Sequence, residues 1–439
     1  MKKLLALIMC LCTATATMSA CSSPNEFSDK EILSDNAERN EDIELTYNYN
    51  DGAISAPLSY NAYSSEIADF ELKLFKSYYE NNTGKSFNYA PITTVANLGL
   101  LANGAADRAQ TNIVKGLGDE LTLEAVNQGS SYFISRIEAF NSDGKTETSG
   151  ETKPKAYVKL QNTLLFDDSV EVRKNFLQSN ADYYSSDIFR FKFADETALT
   201  KVNSGFAEYT NGNMLSSLDE NNKLLCLGAV NIYDTWLNSY TQSDVSQNTF
   251  HSSDGDCDVN YMTSNESYIH TDNAQGIIKY TKGTPLKFIA IMPNEDISLD
   301  SYISSLTYSE YSALLESLDV KTSVSASIPE FSIKEGETAI SLKNELSQCG
   351  LEDLFTEEIK LSNITFSNEL FVNDILQLNP AVTVNATGIS GTETIGTKAP
   401  AGNKEITPAE TKLEFNRPFI FMFADNESNI PVYIGVVDL

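Results

Sequence analysis

Apolar residues recur with a helical rhythm early in the chain and with a strand rhythm late. Over residues 64–79, Ile67, Phe70, Leu72, Leu74 and Phe75 fall on one side of a helix. A second helix is predicted after Pro91, carried by Val95, Leu98, Leu100 and Leu101, and ended by Asn103-Gly104-Ala105, where glycine suits a helix C-terminus. Strand-like apolar runs follow at 158–166, 224–233 and 286–292, with helical stretches at 170–184 and 199–209. The last third reads as strands at 325–333, 371–378, 381–385, 418–423 and 432–437. Helices cluster early and strands late without a βαβ rhythm, so the fold class is α+β. No internal repeat or break in composition divides residues 61–439, which read as one domain.

Between the strands at 381–385 and 418–423 lies a loop of about thirty residues without a strong apolar period. Loops of that length inside a domain usually carry function. Its first half, 389–397, is rich in Thr, Ser and Ile, which suits a strand. An exposed loop able to join a sheet is a candidate mechanical device.

The chain has 439 residues and a formal net charge of -30, from 61 acidic and 31 basic side chains. That balance argues against nucleic-acid or anionic-membrane binding through a basic face. Met1-Lys2-Lys3 followed by an apolar run and Met18-Ser19-Ala20-Cys21 reads as a secretory signal over residues 1–20. Cys21 after small residues resembles the lipid-attachment box of bacterial lipoproteins, with Met18 where Leu is usual. Cleavage as an ordinary signal near Ala20 is the alternative. Residues 21–60 are acidic and polar and read as a flexible tether. Cys226, Cys257 and Cys349 show neither disulfide nor zinc spacing, and Cys226 sits in an apolar run as a small hydrophobe. His251 and His270 lie in no catalytic or metal motif and are expected at the surface. No phosphate-binding glycine loop occurs. No metal or cofactor is expected.

Several motifs occur in the order and near the spacing of one family. They are Asn88-Tyr89-Ala90-Pro91 with Asn103-Gly104-Ala105, Gln161 to Phe166, Thr210-Asn211-Gly212-Asn213-Met214, and Leu224 to Trp236. Ile328-Pro329-Glu330-Phe331 follows, where the family pattern is Leu-Pro-Lys-Phe, and then Asn416-Arg417-Pro418-Phe419 and Tyr433-Ile434-Gly435. With these the chain resembles a serpin over nearly all of residues 61–439. The resemblance implies three β-sheets, about nine helices, no catalytic residue and an exposed reactive-centre loop that a protease attacks. The cut loop then enters the main sheet as a strand and carries the acylated protease with it. A strand of ~14 residues spans ~45 Å, enough for that journey.

On this resemblance Gly388 is the hinge glycine, where the loop leaves its strand, and Ala386, Thr387, Ile389, Ser390, Gly391 and Glu393 complete the hinge. Inhibitory members usually carry Glu two residues before the glycine, then Thr and alanines; here Ala386, Ile389 and Gly391 stand there. Strand alternation puts Ile389, Gly391 and Glu393 on one face and Ser390 on the other. Burial of the Glu393 carboxylate on insertion costs about several kcal/mol unless it is paired. The scissile bond lies within Gly402, Asn403, Lys404, Glu405, Ile406 and Thr407. Lys404 suits a trypsin-like protease, Ile406 an elastase- or subtilisin-like one. At the sheet opening Ala90 and Gln377 replace the usual Ser and His, and Trp236 covers the top of the sheet or packs in the core. The expected protein is an exported monomer, lipid-anchored at the bacterial cell membrane or surface, that inhibits an extracellular serine protease, or a cysteine protease. The rival is a non-inhibitory serpin-fold binding module or protease substrate, favoured by Glu393 and the altered hinge.

Overall fold

Two large sheets, stacked face to face with helices around them, account for the apolar runs. The computed structural model describes residues 55–141, 145–148, 151–207, 215–319, 322–333, 339–356, 359–366, 370–378, 381–391, 409 and 411–439. Nine α-helices lie among the described residues. They are α1 Tyr60–Glu80, α2 Pro91–Gly104, α3 Asp107–Leu117, α4 Leu123–Glu138, α5 Lys174–Tyr183, α6 Ala198–Gly205, α7 Leu299–Ser305, α8 Tyr308–Glu316 and α9 Lys343–Leu346. None is long and apolar enough to cross a membrane.

Among the described residues the main sheet has eight strands: β1 Tyr157–Asp167, β2 Asp187–Phe191, β3 Leu224–Thr235, β4 Phe331–Ile333, β5 Ile340–Ser341, β6 Ile375–Leu378, β7 Val382–Val384 and β8 Gly388–Ser390. One edge of β3 pairs with β1 along almost its whole length. Its other edge is shared between β6 and β8. The second sheet has nine strands among the described residues. Its centre is Pro431–Val437, Phe419–Asp425 and Leu286–Pro293, all buried throughout. A two-stranded ladder, Lys145–Thr148 with Glu151–Pro154, forms a third sheet.

The continuous apolar run of β3 has a physical reason. Cys226, Val230 and Ile232 join the main core, whereas Leu225, Leu227 and Ala229 join a second cluster with Ala198 and Val202 of α6. A strand covered on both faces has no polar alternation to show. Helix α2 is likewise buried nearly all round behind this sheet, where Asn97 Nδ2 donates to Leu227 O at 3.1 Å. The sheets are tied together by the Tyr433 hydroxyl, which donates to Val230 O at 2.5 Å.

Most predicted elements are present, with instructive differences. The strand expected over 325–333 is two strands in different sheets, Ser323–Pro329 and β4. Pro329 has no N–H to extend its ladder, and the chain crosses to the main sheet there. Of 371–378, only β6 is strand. Helix α5 starts at Lys174 rather than 170, because Val170 N–H turns back to Asp167 O. Cys226 is fully buried, and burial pushes its thiol far above the ordinary range. His251 and His270 are exposed.

Candidate functional site: a split in the main sheet

The main sheet divides along the edge of β3. In its lower half β6 runs parallel to β3, with Ile375 opposite Cys226 and Leu378 opposite Ala229. In its upper half β8 lies between β3 and β7 and is antiparallel to both. Gly388, Ile389 and Ser390 stand opposite Thr235, Asp234 and Tyr233 of β3. Ile389 and Ser390 also stand opposite Val384 and Thr383 of β7. Gly391 continues the ladder by donating its N–H to Ile232 O at 2.7 Å.

Gly388 is therefore not the point at which the loop leaves its strand. The chain has already reversed and re-entered the sheet, and Gly388 through Gly391 are buried. The cause is a tight turn over Asn385, Ala386, Thr387 and Gly388. Asn385 N–H donates to Gly388 O at 3.0 Å, and Gly388 N–H to Asn385 O at 3.2 Å. The Asn385 side chain accepts from Thr387 N–H at 2.9 Å. Neither Ala386 nor Thr387 has a positive φ, and Asn first with Gly fourth is the residue placement of a type I turn. Only glycine fits at 388, because a Cβ there would lie 2.1 Å from Asp234 O.

Paired residues on neighbouring strands point to the same face. Ile389, with Val384, enters the main core at 0% exposure. Ser390 takes the opposite face beside Tyr233 and is also fully buried. The expected alternation of Ile389 and Ser390 is seen at these positions. Ala386 is buried and Thr387 half-buried at the turn.

Two residues outside the turn, Trp236 and Glu330, bond to it. The Trp236 indole N–H donates to Asn385 O at 2.8 Å, and its backbone N–H reaches Thr387 O at 3.3 Å. The indole packs edge-on against Phe288 with ring centroids 5.8 Å apart, so it serves both core and sheet top. Lys279, buried and paired with Glu266 at 2.5 Å, sits between the rings of Trp236 and Tyr240. Glu330 Oε1 accepts from Ala386 N–H at 3.1 Å, while its other oxygen accepts from Asn260 Nδ2 at 3.0 Å. Asp234 anchors the top of β3 to the second sheet by accepting from the N–H groups of Gly283 and Thr284.

The closed half has its own clamp. Gln377, 1% exposed, accepts from Ala90 N–H at 3.2 Å. Its amide nitrogen donates to Ala90 O at 2.5 Å and to Thr93 Oγ1 at 3.1 Å. One amide thus joins the start of α2 to β6 directly beneath the split, with no need of Ser at 90 or His at 377. Glu393, the scissile candidates Gly402, Asn403, Lys404, Glu405, Ile406 and Thr407, and Cys21 lie outside the described residues.

Sequence reasoning missed Asn385 and Glu330. Both left a signal: Asn-Ala-Thr-Gly is a turn pattern, and Glu330 is an acid where the family pattern has a base. An acid at 330 can accept from a backbone N–H, which a lysine cannot.

The profile described as "Serpin (serine protease inhibitor)" matches residues 65–438. The plasma serine protease inhibitor of Mus musculus is 23% identical over 399 residues, 88% of this chain and 91% of its own length. The thermophilic serpin tengpin in its native state superposes with a TM-score of 0.75 at 26% identity, covering 91% of this chain and 98% of tengpin. Its latent state superposes less well, at 0.69 with the same identity, over 88% of this chain and 99% of that one. A main sheet that parts to admit its own chain, and a profile match that runs almost to the last residue, lead to one conclusion: this chain belongs to the serpin family.

Proposed function

We propose that this chain inhibits a serine protease by taking its cleaved reactive segment into the main sheet. The observation that carries this reading is the position of Ile389 and Ser390, already laddered on both sides between β3 and β7, with Gly388 against β3. Among the described residues, further insertion must part the short parallel ladder from Ile375–Cys226 to Leu378–Ala229. Each strand then gains an antiparallel neighbour in place of a parallel one. Antiparallel pairing is slightly more stable per residue, and two ladders replace one, so the exchange runs downhill. A protease joined as an acyl-enzyme to the loop at 402–407 is carried along. Lys404 favours a trypsin-like target; Ile406 suits an elastase- or subtilisin-like one. Export and a lipid on Cys21 would hold the inhibitor at the membrane; loss of fatty-acid labelling in Cys21→Ala checks this.

The test is a gel. The protein is mixed with trypsin-, elastase- and subtilisin-like proteases and resolved in SDS. A covalent complex with at least one of them is expected, together with a steep rise in the melting temperature of the nicked protein. Cleavage by all three with neither complex nor rise overturns the proposal. A second reading, turnover as a substrate, is favoured by the inward face of Ile389, because continued alternation would aim Glu393 inward too. Glu393→Ala is expected to raise the ratio of trapped to turned-over protease; an unchanged ratio removes that reading.

A further inference from the structure

We infer that Asn231 and Gly391 together set how far the reactive segment enters the sheet before it is cut, and so position it for the insertion step. The inference rests on the trapping function proposed above.

Gly391 occupies the narrowing fork of the split. Its N–H is bonded to Ile232 O at 2.7 Å. A Cβ at Gly391 would stand 2.6 Å from Asn231 Oδ1, 3.4 Å from Ile232 N and 3.5 Å from Ala381 O. The backbone on either side leaves ordinary contact distance, so the conflict is with one side chain. Asn231 is 2% exposed and engaged by its surroundings, so it does not swing freely into solvent. Two residues below it on β3, Ala229 is already joined to Leu378. The Asn231 amide therefore stands between the docked start of the loop and the closed ladder.

This geometry separates two events. Docking of Gly388 through Gly391 is compatible with Asn231 where it is, because position 391 carries no side chain. Passage of the following residues requires Asn231 to yield and Leu378 to part from Ala229. A methyl group at 391 opposes docking. Removal of the Asn231 amide relieves that opposition and lowers the barrier to passage.

The experiment is hydrogen exchange on the uncleaved full chain, read at the amides of residues 388–391. Gly391→Ala is expected to speed exchange there about tenfold or more while the amides of Phe419–Asp425 keep their protection. The pair Asn231→Ala with Gly391→Ala is expected to regain the wild-type rate. Asn231→Ala alone, nicked by subtilisin, is expected to insert faster, followed by the fluorescence of Trp236, the only tryptophan in the chain. Should Asn231→Ala fail to fold, Asn231→Ser also withdraws the amide and takes its place. Wild-type protection in Gly391→Ala, or a double variant that exchanges as fast as Gly391→Ala, overturns the inference. Because exchange is read without any protease, its outcome is independent of the SDS-complex test, and either can fail alone.

Discussion

Glu71 on α1 is fully buried, and neither carboxylate oxygen has a hydrogen-bond partner. Burial alone holds its pKa well above the ordinary carboxylate range. The groups that feel its charge are Tyr63 on its own helix, Tyr89, and Tyr311 on α8, all of them neutral. The unfolded chain releases this proton near pH ~4.3, the folded chain much later. The folded state thus binds the proton more tightly, and stability falls as pH rises above the unfolded value. The slope is at most about 1.4 kcal/mol per pH unit until the folded group also ionises. Glu71→Gln keeps the shape and removes the ionisation. Glu71→Met, of similar volume, also removes the unpartnered polar atoms, which cost about 1–3 kcal/mol when buried. At pH 8 the expected order of heat resistance is Met, then Gln, then wild type. At pH 4.5 Gln and wild type converge while Met stays ahead. Apparent melting temperatures at one fixed scan rate are the measurement, because unfolding of a chain of this size need not be reversible. A Gln variant whose advantage over wild type is the same at both pH values would refute the reasoning.

Other perturbations address the split directly and the frame around it. Trp236→Phe removes the indole donor from Asn385 O, worth about 1–3 kcal/mol at a buried site, so exchange at residues 388–391 should rise roughly tenfold to a hundredfold; unchanged exchange would show that the turn holds itself. Gln377→Leu leaves Ala90 N–H without its partner, while Ala90 O keeps the Thr93 hydroxyl, and should cost about 1–3 kcal/mol and hasten the melting-temperature rise after nicking; an unaltered rate would place the barrier elsewhere. Arg136→Met strands the buried Asp425 carboxylate, which Arg136 meets at 2.7 Å. Asp425 keeps Ser428 N–H at 2.7 Å and its hydroxyl at 2.8 Å, so the loss should be near about 3 kcal/mol, the lower end for a broken buried pair. Arg136→Lys should restore part of that loss in the same denaturation experiment, and no restoration would deny the charge a role.

The elements that the sequence declares most plainly are those whose signals are local. Pro91 and Asn103-Gly104 bracket α2 because start and stop signals act within one turn. The apolar run of β3 announces burial on both faces, yet it cannot say that one edge serves two different neighbours at two heights. That division depends on contacts more than a hundred residues apart. The hinge shows the same limit more sharply. Asn-Ala-Thr-Gly fits a turn, and Gly388 fits a strand exit equally well. What decides between them is the approach of Gly388 to the Asp234 carbonyl, together with Trp236 and Glu330 waiting at the turn. None of these leaves a period in the chain around residue 388.

The proposed insertion asks one stretch of chain to serve two strand pairings, and neither can then be encoded too strongly in local pattern. On the proposed mechanism the Thr- and Ser-rich stretch 389–397 has to serve both outside the sheet and within it, and its first residues, Ile389 and Ser390, are already strand. The choice is left to tertiary restraints that can be released one at a time: the turn at Asn385, the fork at Asn231, and the Gln377 clamp beneath it. The fork and the clamp each involve a single polar side chain, whereas the turn is held by Asn385, Trp236 and Glu330 together. Their order along β3, from Thr235 down to Cys226, is also the order in which an entering strand would meet them. On the proposed mechanism the free energy released by insertion lies in what is paired with one edge of β3, and the side chains along that edge set the sequence of its release.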